Sequence, residues 1–265
     1  MRVGATLMLS KRWAISATGP TVVLSGALFL LAAHRSAAAP PESPKASSYA
    51  PAADLAAQVD FYLNRLSESL ANQAEYDGAK QSRVHKDAST VAALVLVLGR
   101  HDEPNKYQSA AASMIQAAQA LVEGGEDFGK ARSALDALNQ AAASGKGDAP
   151  AWADVAPLGA LMKQVPIVNN SLRRSLEPSR FKKLSAQVAQ QAATLAAIAQ
   201  ASLFDESMVS DAADTDKWRQ FCAQMRDAAG AMNSAAHAGD QAATAAAQKR
   251  LTQSCDACHA VFRDK

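Results

Sequence analysis

The sequence predicts an all-α fold, two tandem antiparallel four-helix bundles, on three observations. Apolar residues make up 49% of the 265 and aromatic residues only 5%. Alanine is abundant, and Gly and Pro are sparse inside the long periodic segments, a composition that favours closely packed helices. Apolar positions recur at helical spacing; Tyr107, Ala111, Met114, Ala118 and Leu121 step by four, three, four and three. The order of helices and turns in residues 54–148 then returns in residues 151–265. A net charge of +2 gives no electrostatic case for nucleic acid. Three cysteines are too few for a disulfide framework.

Residues 1–39 read as a signal peptide. Arg2, Lys11 and Arg12 precede an apolar run from about Ala14 to Ala33, and Ser36 to Ala39 supply small residues for cleavage. The run is long enough to serve instead as an uncleaved N-terminal anchor. Either way the remainder is expected outside the cytoplasm, in the periplasm, with no stable membrane association unless the segment is kept. Residues 40–53, rich in Pro, Ser and Ala, read as a flexible or extended linker.

Helices are expected near 54–74, 79–100, 104–123 and 127–144. Breakers fall where turns are needed: Gly99 with Pro104, Gly124-Gly125, and Gly145 to Pro150, which marks the boundary between halves. The second half predicts helices near 155–176, 179–202, 214–237 and 239–263. Lys106-Tyr107 corresponds to Lys217-Trp218, Met114 to Met225 and Ala118 to Ala229, with the shift in offset assigned to an insertion in 203–216. Trp218, Cys222, Met225, Ala229 and Met232 share an apolar face, so Cys222 is expected as a buried hydrophobe.

The last helix ends in SCDACHAVFRDK, where Cys255, Cys258 and His259 form a C-x-x-C-H run. That spacing is the attachment signal for c-type haem. Two thiols must add to two vinyl groups of one porphyrin, and the imidazole beside the second must reach the iron from the same side. On a helix the three positions share one face, with Phe262 a turn further on. A thioredoxin-like redox pair would need a neighbouring strand, and none is predicted. A structural zinc site would need a second ligand pair that the chain lacks. A plain pair of buried cysteines leaves the adjacent His unexplained. One covalent haem c is therefore expected in the C-terminal bundle. The first half has no cysteine and cannot attach one covalently.

Residues 155–265 resemble the cytochrome c′ family, with its six-coordinate relatives, on CDACHAVFR at the end of an Ala-rich bundle. One haem-less copy followed by a haem copy also resembles two-repeat members. The resemblance implies a four-helix bundle holding haem between its helices, with Cys255 and Cys258 as thioether anchors and His259 as proximal ligand. It implies that Arg263 sits near the propionates or proximal imidazole; without the family, Arg263 is a solvated cation that suits the helix C-terminus. Met162 stands about where the family places its distal Met ligand; the other reading is a core residue. Pro166 departs from the pattern and is expected to kink or interrupt that helix. Met225 and Met232 read as packing, and His85, His101 and His237 as solvated or satisfied side chains.

The expected function is single-electron transfer with redox partner proteins, not enzymatic turnover. Binding of a small gas such as NO or CO at an open iron is the alternative. Peroxide chemistry ranks below both, since no distal His or Arg pair is apparent. The halves are expected to pack as an internal pseudo-dimer, or the chain to dimerise.

Overall fold

The computed structural model describes residues 42–79 and 83–263. The predicted signal peptide lies outside these residues, as do the first two positions of the predicted linker. Among the described residues the chain is all-α, with no strand and no helix long and apolar enough to cross a membrane.

The helices are α1 (Ala52–Ser69), α2 (Gln73–Ala79), α3 (His85–Gly99), α4 (Ala111–Gly124), α5 (Phe128–Ser144), α6 (Leu158–Ser175), α7 (Pro178–Ser202), α8 (Thr215–His237) and α9 (Gln241–Phe262). Local chemistry sets their ends. The Asp127 and Asp240 carboxylates accept from the backbone N–H of Lys130 and Ala243, the N-cap arrangement. Pro178 occupies the first turn of α7, where a missing N–H costs nothing. At the α8–α9 turn Gly239 takes φ +68°. The N–H of Asp240 reaches Ala235 O at 3.0 Å, so α8 stops abruptly in a Schellman turn and α9 returns antiparallel to it.

Two departures from the expected boundaries have visible causes. The Asn72 side chain accepts from Glu75 N at 3.0 Å and starts a separate short helix, α2, where the periodicity predicts a continuation of α1. The fourth helix begins at Ala111, not near 104. Asn105 bonds to Leu98 O and to Tyr107 N, and Tyr107 donates to Asp60, which holds 100–110 as turns.

The inner helices are α3 and α7. Residues from Val91 to Leu98 in α3 and from Ala192 to Ala201 in α7 are buried on every side, as expected of helices that are apolar all round. α3 packs on α1, α4, α6 and α7; α7 packs on α6, α8, α1 and α3. One apolar core therefore runs from the first half into the second. Polar pins cross it: Thr194 donates to Gln58 at 3.0 Å, Gln164 to the Tyr62 hydroxyl at 3.0 Å, and Asn233 to Asp54 at 2.6 Å. Each satisfies a buried group in only one register of the two halves. In the second half α7 runs for 25 residues, and the segment from Leu203 to Asp214 separates it from α8.

The Pro/Ser/Ala-rich segment ahead of α1 lies against both halves. Ala46, Tyr49 and Ala50 are buried. Ser43 accepts from Gln200, Asp102 accepts from Ser47, and Ala50 O bonds the ring of His101. Tyr49 crosses α8 at Gly230, where a Cβ would stand 2.9 Å from the Tyr49 Cα. The absence of a side chain there is what lets this strap lie down.

Candidate functional site

Cys255, Cys258 and His259 lie in the last two turns of α9. Their positions follow one another on the same helical face, since residues three and four apart are neighbours. All three are half-buried, and Phe262 beyond them is buried. Arg263 is exposed, and its backbone N–H closes the helix on His259 O at 3.1 Å.

Cys255 packs against the main core, whereas Cys258 packs against a separate apolar cluster. It comprises Leu158 of α6, Leu203, Trp218 and Cys222 of α8, and Phe262, with Met162, Phe204, Phe221, Cys258 and Val261 packed against them. Trp218 meets Phe262 edge to face at 5.3 Å and donates its indole N–H to Ser202 O at 3.2 Å. The segment 203–214 closes this end of the molecule. Phe204 stacks on Trp152 at 5.4 Å, and Arg219 pairs with Glu206 at 2.7 Å.

Met162 belongs to both clusters, half-buried on α6. α6 runs through Pro166 without a break, contrary to the expected interruption. Pro166 has no N–H, so the carbonyl it leaves unbonded within the helix is that of Met162, four residues earlier.

A planar macrocycle needs room between helices, and the α6 and α9 pair is the candidate. α6–α7, α7–α8 and α8–α9 are in close contact, whereas α6 and α9 make at most a few backbone contacts. Their bridge is at the far end, where Gln248 donates to Asn169 at 3.1 Å and Gln241 to Leu176 O at 2.6 Å. Toward the motif the space between α6 and α9 holds Leu158, Met162, Cys258 and Val261. Apolar surroundings, two thiols on one face of a helix and an imidazole beside them suit haem. No group of three His, Cys, Asp or Glu side chains among the described residues could hold a metal ion, and a haem iron asks for only one ligand from this side.

Burial raises the thiols. Cys258 is pushed up to about 11, chiefly by desolvation and then by Cys255. Cys255 and Cys222 are raised for the same first reason. At neutral pH all three are protonated, so none is an activated nucleophile.

The other candidates resolve as packing or as satisfied side chains. Met225 and Met232 are buried in the main core. His101 is buried; its Nδ1 accepts from Glu103 N at 3.0 Å, so Nε2 carries the proton given to Ala50 O at 2.9 Å. His237 bonds Asp54 at 2.7 Å. His85 is half-buried at the start of α3, where burial lowers its pKa.

Cys222 is buried, as its apolar face predicts, but it also lies in the cluster beside Cys258. The sequence signal for that neighbourhood is the short Gly239-Asp240 turn, which fixes the antiparallel register of α8 and α9.

Comparison of the chain with protein-family models, with curated proteins and with solved structures finds no match.

Proposed function

We propose that this protein is an exported monohaem c-type cytochrome that carries single electrons to and from partner proteins. The observation that carries the reading is the C-x-x-C-H run on one face of α9, with Cys258 packed against an apolar cluster that also takes in Met162 of α6. Cys255 and Cys258 would anchor the haem through thioethers and His259 would ligate its iron. Met162 would stand on the far side, and Arg263 beside the propionates. The bound haem supplies a one-electron couple, and a Met thioether opposite His raises its potential. The protein excludes water through Trp218, Phe262 and Leu158 and holds the ligands on two helices. In this reading α1, α3, α4 and α5 form one four-helix bundle and α6 to α9 the haem-bearing one, joined as an internal pseudo-dimer in the periplasm.

Covalent haem that survives acid–acetone extraction after maturation is the expected result; loss of the haem to the solvent would overturn attachment. A low-spin reduced spectrum that carbon monoxide leaves unchanged supports electron transfer. One observation favours the second reading, a gas-binding iron. Leu158 lies one turn before Met162 in the same cluster and is an apolar side chain suited to covering an open iron face. A high-spin spectrum that shifts with carbon monoxide would select it.

A further inference from the structure

We propose that Cys222 is a third thiol of the attachment site, able to form a disulfide with Cys258 that withholds Cys258 from haem. The consequence for haem rests on the function proposed above; the pairing itself does not.

The geometry comes from the α8–α9 seam. Trp218 and Phe262 face each other across it with ring centroids 5.3 Å apart. The helices are antiparallel, so one turn along each takes Trp218 to Cys222 and Phe262 to Cys258. Both cysteines belong to the same packed cluster and both are free thiols. Alanines and small residues line the seam further along, with Ala229 and Ala247 buried in it, and α8 and α9 are in close contact. The competing pair is Cys255 with Cys258. α9 is regular from Gln241 to Phe262, and positions three apart on a helix hold their Cβ atoms about 5–6 Å apart. A disulfide asks for about 3.5–4.5 Å. Pairing within the motif therefore has to deform α9, whereas pairing across the seam joins cysteines on two helices already packed side by side.

The step needs a disulfide donor. Half-buried Cys258 attacks it and forms a mixed disulfide, releasing one donor thiol. The buried Cys222 sulfur then attacks the Cys258 sulfur and expels the second donor thiol. One S–S bond forms and one breaks, and the two electrons and two protons of the protein thiols end on the donor. With Cys258 consumed, only Cys255 remains to meet a vinyl group.

The purified full-length, haem-free chain treated with oxidised glutathione tests this. Trapping with N-ethylmaleimide and digestion with trypsin plus a protease cutting before Asp separates 220–226, 251–255 and 256–263, one cysteine each. The expected product is 220–226 joined to 256–263, lighter by two hydrogens than its parts and separated by reductant, formed with the helical circular dichroism intact. The product is lost in Cys222→Ala, whose helical signal should match the parent. A Cys255–Cys258 link, or Cys222 recovered as its maleimide adduct, would overturn the pairing. In the second arm, chain oxidised beforehand should take up less haem during maturation than Cys222→Ala treated identically; equal uptake would overturn the withholding. A chain that shows the crosslink but attaches no haem even when reduced would sink the proposed function and leave the pairing standing.

Discussion

Met162 and Pro166 form one local arrangement. The carbonyl that Pro166 leaves without its helical donor belongs to the residue that the proposed site turns toward the iron. Replacement of Met162 by Ala should convert a low-spin reduced spectrum into a high-spin one that binds carbon monoxide; an unchanged spectrum would remove Met162 from the coordination sphere. Gly230 gives a prediction of another kind. A Cβ there would stand 2.9 Å from the Tyr49 backbone, so Gly230→Ala should lower stability by about 1–3 kcal/mol, read as an earlier urea midpoint. Protease cleavage within 42–51 should quicken in the same variant. At this scale the motif was legible because Cys255, Cys258 and His259 are adjacent in sequence. The closeness of Cys222 to Cys258 was not, because it arises only once α8 and α9 are placed side by side.

Between elements, a bidentate ion pair joins α1 to α3. Arg65 grips Asp87 with both ends of its guanidinium, one bond being 2.6 Å, and the carboxylate is fully buried. Burial holds the Asp87 pKa above its ordinary value even with Arg65 in place, since desolvation outweighs the pairing. Arg65→Met removes the cation that hydrogen-bonds that carboxylate, leaving only the charges of Arg83 and Lys86 to act on it, and should cost about 3 kcal/mol, the lower end for a broken buried pair because Arg65 is partly exposed. A folded pKa above the unfolded value makes this group's contribution largest at low pH and smaller as pH rises through the folded pKa. The variant should therefore lose stability more steeply than the parent as pH rises above the ordinary carboxylate range, which denaturation midpoints measured across a pH series would show. Eight of the helices were visible in the spacing of apolar residues. The short α2 was not, nor the late start of α4, because side chains such as Asn72 and Asn105 compete with helix continuation through local hydrogen bonds.

For the whole molecule, the relation between halves depends on contacts that no periodic pattern encodes. The spacing of apolar residues placed α3 and α7, but not their burial on every side or the way each covers the other. Gln58 with Thr194 and Tyr62 with Gln164 are separated by more than a hundred residues in sequence. Residues 151–265 expressed alone would expose the α7 face that α1 and α3 cover. They should self-associate or precipitate, as size-exclusion chromatography with light scattering would detect. A soluble monomer with full haem content would instead make the first half dispensable for the fold of the second.

The strap ahead of α1 imposes an order on assembly. A ribosome delivers it early, yet its seats are Gln200, Arg226 and Gly230, and Asp54 just behind it waits for Asn233, 179 residues away. Ring closures of that span are slow steps in folding. The strap therefore docks only after α7 and α8 have been made, and its docking acts as a latch that closes only on molecules in which that helix pair is already home.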